Sequence, residues 1–355
     1  MFVGNFFIKH IKTMESESMR QEENYPVDIV IPWVNGNDPE WLEEKQKYQK
    51  EITSSVHSFD YQDWGILKYW FRGVEKNMPW IRHIYFVTWG HLPDWLNTAH
   101  PKLVVVKHED YLPKEYLPTF SANPIEINFH RIDGLAEHFI YFNDDMFVID
   151  RTTKQDFFRH GLPCECAIIN PIAPANNNCI AHMQLSNAAV INQHFKKHEV
   201  IINNPLKWFN LKYGKLLPLN ILFIPWGRFP GLLEKHLPAS LLKSTYDEIW
   251  EKEYELMDQT SRHRFRDFKL DVNQWLIKEW QIASGNFWPR SIAIGKNIPI
   301  RDKDTAISAA KIIKNKKYKL ICVNDHVENK DPSDLIKIIN EAFEVLYPNK
   351  SEFEK

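Results

Sequence analysis

A run of apolar residues, Phe139-Ile140-Tyr141-Phe142, passes without a break into Asn143-Asp144-Asp145, and this junction constrains the fold more than any other feature of the chain. A short apolar run rich in aromatic and β-branched residues reads as a buried strand. Two adjacent carboxylates at its carboxyl end are costly to crowd unless positive charge sits near them. Three further runs have the same character: Val27-Asp28-Ile29-Val30-Ile31, Ile84 to Thr88, and Leu103 to Val106. The first is expected to stop at Pro32, before a loop of turn formers, Trp33-Val34-Asn35-Gly36-Asn37-Asp38-Pro39. A strand ending in such a loop is where open α/β sheets place ligands. Between the runs lie helical patterns. One carries the stripe Ile66, Leu67, Trp70, Phe71 and Val74, with Asp63 as its cap and Asn77 and Pro79 ending it; another is expected near Pro124–Glu137.

Strands alternating with helices predict an α/β fold, a Rossmann-like and mostly parallel sheet flanked by helices. Residues 1–24 read as a mobile leader and 25–355 as a single domain. Within it, 25–150 form the α/β half and 151–235 a less regular insertion or lid rich in Asn and Pro. Residues 236–355 form a helical half that completes the site. In that last part the pattern is helical from Leu241 to Ser284. Ile321-Cys322-Val323 reads as a short strand, and Ser333–Leu346 as an amphipathic helix.

The balance of 44 Lys and Arg against 46 Asp and Glu gives a net charge of −2, so whole-molecule charge offers no sign of a nucleic-acid partner. No apolar run approaches the roughly 20 residues of a membrane span. Met1–Ile11 admits at most a weak peripheral surface anchor. Cys164 and Cys166 are too close for a zinc knuckle and, with Cys179 and Cys322, are expected to be reduced thiols, as suits a cytoplasm. There is no Gly-x-Gly-x-x-Gly, no Walker loop and no Gly-x-Ser-x-Gly elbow, which argues against dehydrogenases, P-loop kinases and ordinary esterases.

Several constellations carry chemistry, each open to a plainer reading. Asp144 and Asp145 suit a hard divalent cation bridging phosphates, or form a solvated turn. Glu126 and His130 are four apart and would share a helix face, or make a surface ion pair. Ser261-Arg262-His263-Arg264-Phe265-Arg266-Asp267 concentrates guanidinium groups suited to phosphate, or is a solvated helix face. His236, in His236-Leu237-Pro238, has the intrinsic basicity of a proton acceptor near neutral pH, though a lone His is more often structural. Asn324-Asp325 ends the last strand.

Together these segments resemble the Stealth family of sugar-1-phosphate transferases, which includes bacterial capsular and cell-surface polysaccharide phosphotransferases. Four blocks carry the likeness across about 25–355: Asp28 to Asp38; Asp63 through Trp80 to Thr88, His108 to Pro113 and Glu126 to Phe147; His236 to Tyr246 with Arg264 to Trp275; and Cys322 to Asp325 with the final helix. Trp89 departs from the small polar residue expected at its place. The resemblance implies Asp145, His236, Arg266 and Glu126 as catalytic residues. It implies Asp28, Trp33, Asn35, Asn143, Lys243 and Asn324 in donor binding. Asp144, Asp145 and Asp325 would be ligands of a divalent cation, Mg²⁺ or Mn²⁺. It further implies a nucleotide sugar donor, UDP-linked, and a glycan acceptor, with a lipid-linked one admitted. The reaction is transfer of hexose-1-phosphate with release of UMP, in the cytoplasm and with contact at the inner face of the cell membrane admitted. Two other readings stay open: a metal-dependent glycosyltransferase releasing UDP, and a non-catalytic carbohydrate-binding protein.

Overall fold

The computed structural model describes residues 24–49, 64–327 and 331–355. Asp63 and Met1–Ile11, and with them the expected cap and anchor, lie outside the described residues. In chain order the strands are β1 (Val27–Trp33), β2 (Ile84–Thr88), β3 (Leu103–Lys107), β4 (His138–Tyr141), β5 (Met146–Val148), β6 (Phe158–Arg159), β7 (Leu162–Glu165), β8 (Ala239–Leu242), β9 (Trp288–Pro289), β10 (Gly295–Ile300) and β11 (Leu320–Asp325). The central sheet has the order β3-β2-β1-β4-β8. Its first four strands are mutually parallel and β8 is antiparallel. This is the Rossmann-like, mostly parallel sheet that the alternation predicts.

Side-chain alternation explains why both faces are covered. Ile29, Ile31 and Trp33 join Ile84, Phe86, Ile140 and Phe142 in one core, closed by the helices Leu67–Asn77, Lys303–Lys314 and Ser333–Leu346. Val30 joins Tyr85, Val87, Phe139 and Tyr141 in the other, closed by Ala181–His194, Lys243–Lys252 and Trp275–Ala283. Strands buried on both sides read as continuous apolar runs, the pattern seen in the sequence.

The first strand does not stop at Pro32 but runs through it to Trp33. In a parallel strand, successive backbone groups point to alternate neighbours. Val30 O accepts from Phe142 N on the β4 side, so Pro32 also faces that side, beyond the last β4 pairing at Val30 and Tyr141. The missing N–H is therefore at a place where no ladder bond is required.

The helix expected over Pro124–Glu137 is only Ala122–Glu126, followed by the 3₁₀ turn Phe129–Arg131. The buried Asn128 side chain diverts the chain there: its amide donates to Pro124 O at 2.8 Å and to Ser261 Oγ at 2.9 Å. Glu126 and His130 consequently share no helix face, and His130 stacks on Tyr246. The pattern from Leu241 to Ser284 resolves into β8 and the helices Lys243–Lys252, Tyr254–Arg262 and Trp275–Ala283. The 151–235 region contributes Ile169, Ile191, Trp208 and Tyr213 to the second core. The final helix has the expected bounds, Ser333–Leu346. Before it, β11 pairs with β10, which the sequence pattern does not announce, and with β5 to make a second sheet, β10-β11-β5.

Candidate active site

From β1 the chain runs outward through β2 to β3, then crosses back to lay β4 on the other side of β1. Loops leaving β1 and β4 therefore diverge, and the crevice at their carboxyl ends is the usual ligand position of such sheets. Asn143-Asp144-Asp145 leaves the sheet at this end, between β4 and β5. Met146 N donates to Asn143 O at 3.1 Å, closing a tight turn that reverses the chain into β5.

The pairing of β5 with β11 brings distant residues to Asp145. Val323 N donates to Asp145 O at 2.8 Å, which fixes the backbone. Cys322 and Asn324, two apart on β11, share one face of that strand. Both reach Asp145 Oδ2, the thiol at 3.1 Å and the Asn324 amide at 2.8 Å. His236 Nε2 lies 3.3 Å from the same oxygen. His236 holds φ at +47°, a left-handed conformation that costs a non-glycine residue about 1–3 kcal/mol, and its ring is directed at the carboxylate.

Charge follows from this geometry. Burial opposes ionisation of Asp145, but the His236 charge and the bonds from His236, Asn324 and Cys322 outweigh it and hold the carboxyl below its usual range. Burial opposes protonation of His236, yet Asp145 and then Glu126 and Glu234 outweigh it and raise its basicity. Burial and the neighbouring Asp145 keep Cys322 well above the usual thiol range, so it stays a hydrogen-bond donor.

Glu126 is buried behind this pair. Burial pushes its carboxyl up to about 7, against the Tyr141 hydrogen bond and the charges of Arg266 and His236. Tyr141 Oη donates to Glu126 Oε1 at 2.5 Å and also lies against Asn143 Oδ1. Arg266 is within electrostatic reach of Glu126, and its Nε is buried with no partner among the described residues. Arg262, by contrast, is tied to Asp258 at 2.7 Å and turned away on an exposed helix face.

Other expected residues divide. Trp33 packs against Phe86 and His91 at the end of β1, where Asn35 N donates to His91 Nε2 at 2.7 Å. Lys243 opens the Lys243–Lys252 helix and, after burial and Arg131, adds to the lowering of His130 basicity. Asp28 is not brought to the crevice. It sits at the opening of β1, fully buried, where Arg82 donates to both its oxygens, at 2.9 and 2.5 Å, and His83 N and Ala136 N at 3.1 and 2.8 Å. That carboxylate is fully committed to joining β1 to its neighbours, so the expectation of a donor contact there is corrected.

Asp145, His236 and Cys322 offer donor atoms within 4.8 Å of one another. Asp145 Oδ1 is buried with no partner among the described residues, beside the exposed Asp144. Asp325 is directed elsewhere, accepting from Trp64 Nε1 at 3.1 Å and Val327 N at 2.9 Å.

Residues 25–52, 60–164 and 310–355 match Stealth protein conserved regions 1, 2 and 4. A capsular polysaccharide phosphotransferase WcwK of Streptococcus pneumoniae is 44% identical over 333 residues, 93% of this chain and 98% of that protein. The chain belongs to the Stealth family. The exopolysaccharide phosphotransferase cps2G of Lactiplantibacillus plantarum is 37% identical over 93% of this chain and 97% of its own. The receptor polysaccharide phosphotransferase WefC of Streptococcus gordonii is 39% identical over 92% and 98%. Among solved structures, the galactosyltransferase LgtC in complex with donor and acceptor sugar analogues overlaps 92% of this chain and 98% of that one at 8% identity and a TM-score of 0.39, a likeness too distant to carry weight.

The matched Stealth regions contain Trp33, Asn35, Glu126, Asn143, Asp144, Asp145, Asn324 and Asp325, while His236, Lys243 and Arg266 lie outside them. Within this Stealth site the sequence reading missed Tyr141 and Cys322. The signal is the strand period: Tyr141 shares a face with Asn143, and Cys322 with Asn324.

Proposed function

We propose that this chain transfers hexose-1-phosphate from a nucleotide diphosphate sugar, UDP-linked, to a hydroxyl of a glycan acceptor, forming a phosphodiester and releasing UMP. That it is a polysaccharide phosphotransferase rests on its Stealth membership and on relatives so named across nearly its whole length. The observation that carries the finer reading is the convergence of Asp145, His236, Glu126 and Arg266 from four separate segments onto one crevice. Binding a neutral sugar needs no such concentration of charge, whereas phosphoryl transfer depends on positioning and charge stabilisation.

In this reading Arg266 presents its two-pronged guanidinium to the diphosphate. Asp145 orients the His236 ring, and His236 takes the proton of the attacking hydroxyl. The hydroxyl oxygen bonds to the sugar-side phosphorus as the bond from that phosphorus to the oxygen of UMP breaks. A second candidate for the proton is Glu126, favoured by a carboxyl that ionises at about 7. Asp145 Oδ1 and Asp144 would hold Mg²⁺ or Mn²⁺. Bound there, such a cation would neutralise charge on the diphosphate. Trp33, Asn35, Asn143, Lys243 and Asn324 would line the donor.

The deciding experiment incubates the chain with a panel of nucleotide sugars and glycan acceptors and identifies the released nucleotide by mass spectrometry. UMP supports the proposal, and UDP supports a glycosyltransferase instead. EDTA should abolish turnover and Mg²⁺ or Mn²⁺ restore it; full turnover in chelator removes the cation from the reading.

A further inference from the structure

We propose that the surface built by residues 196–228 is a docking face for an anionic lipid bilayer. Ile202, Leu206, Leu211, Ile221, Leu222 and Trp226 are exposed to 73%, 82%, 87%, 57%, 67% and 57%. Single exposed apolar side chains need no explanation, but six such residues within one short stretch do.

The stretch is an ordered body. Lys197 Nζ donates to the carbonyls of Phe223 and, at 3.1 Å, of Ile224. The His198 ring bonds Ile224 O at 2.8 Å, and Asn220 Nδ2 donates to Trp208 O at 2.7 Å. These bonds close the helices Lys197–Asn203 and Pro205–Trp208 onto the helix Leu217–Leu222. Trp208 and Tyr213, both fully buried, anchor the inner side. The outward apolar residues are thus held outward by a packed scaffold.

Charge identifies the occupant. Between Glu165 and Glu234 the chain has six Lys or Arg, all within 196–228, and one acid, Glu199, although its net charge is −2. Of the six, Lys197 is buried, Lys207 donates to Gly285 O at 2.6 Å, and Lys196 is paired with Glu199 at 3.0 Å. Lys212, Lys215 and Arg228 are exposed. Lys212 also lines a cavity of about 390 Å³ in which Arg290 and Lys319 are paired with Glu165 and Asp156, so the exposed charge of this face rests on Lys212, Lys215 and Arg228. Exposed Leu, Ile and Trp interspersed with cations and almost free of acids is the composition of an interfacial segment. A second copy of the chain fits less well, since a twofold contact would set Lys212, Lys215 and Arg228 of each copy against their own kind.

The test is flotation of the full chain with vesicles of phosphatidylcholine alone or in equal mixture with phosphatidylglycerol. The wild type should float with the anionic vesicles and be released by salt. A Lys212→Ser, Lys215→Ser, Arg228→Ser variant should bind on the order of a hundredfold more weakly, from roughly fivefold per cation near a charged surface. A Leu206→Ser, Leu211→Ser, Leu222→Ser variant, altered only at exposed positions and retaining residues 1–23, should lose flotation while keeping the wild-type circular dichroism. Failure of the wild type to float overturns the proposal. So does flotation of the apolar variant at wild-type strength, which would put membrane contact elsewhere in the chain. A wild-type dimer that those three substitutions break apart, with no vesicle binding, would assign the face to a second copy instead.

Discussion

Where Glu126 rather than His236 takes the acceptor proton, Tyr141→Phe should move the pH dependence of catalysis without disturbing the fold. Tyr141 Oη donates to Glu126 at 2.5 Å, and that bond restrains a carboxyl that burial, even against it, raises to about 7. Phenylalanine keeps the ring against Phe129 and removes the hydroxyl, with its contacts to Glu126 and Asn143. A hydrogen bond to an ionised group is worth about 1.5–3 kcal/mol, or roughly one to two pH units. The Glu126 carboxyl should then ionise higher still, by that amount. At pH 7 its ionised fraction falls from about one half to about 1–10%, so turnover needing the carboxylate drops about 5- to 50-fold. The loss should be recovered as pH is raised. The assay is the pH–rate profile of nucleotide release in wild type, Tyr141→Phe and Glu126→Gln. Glu126→Gln should lose the limb and about 10²–10³ in rate. A Tyr141→Phe profile superimposable on the wild type refutes the reasoning. It would leave His236 as the base, and His236→Asn would then be the variant that loses the limb.

Three further outcomes are expected. Glu126 ionises at about 7 in the folded chain and 4.5 unfolded, so the fold binds the proton more tightly and stability falls as pH rises between those values, by about 3 kcal/mol in all. Glu126→Gln should accordingly raise the melting temperature at pH 8 but not at pH 4, read by thermal denaturation; equal effects at both would exclude a buried-charge origin. Arg82→Ala should strand the buried Asp28 carboxylate and cost about 3 kcal/mol in urea unfolding while leaving donor affinity unchanged, and a selective loss of donor binding would return Asp28 to the site. Arg266→Lys keeps the charge but not the fork, so calorimetry should show weaker donor binding with an intact fold; unchanged affinity would point to Arg264, whose Nε is also buried without a partner among the described residues.

What was legible in the sequence is what short-range rules control. β1, β2 and β4 are apolar runs because strands buried on both faces must be, and Ser333–Leu346 shows its amphipathic stripe within its own length. The strand-end position of Asn143-Asp144-Asp145 could be read for the same reason. Tertiary structure alone decided the rest. The i, i+4 spacing of Glu126 and His130 suggested one helix face, but a buried Asn128 side chain bonding Ser261 in a distant segment breaks the helix between them. Asp28 had the right residue type in the right motif, yet its carboxylate is satisfied by Arg82, 54 positions away. The environment of Asp145 comes from Cys322 and Asn324, 177 and 179 positions on, carried there by the pairing of β5 with β11. A strand's own sequence records that it will be buried, because burial is a property of its side chains. It does not record which partner will cover it, because that is fixed by the summed free energy of the whole packing, and the ionisation of Asp145, His236 and Glu126 follows from that packing.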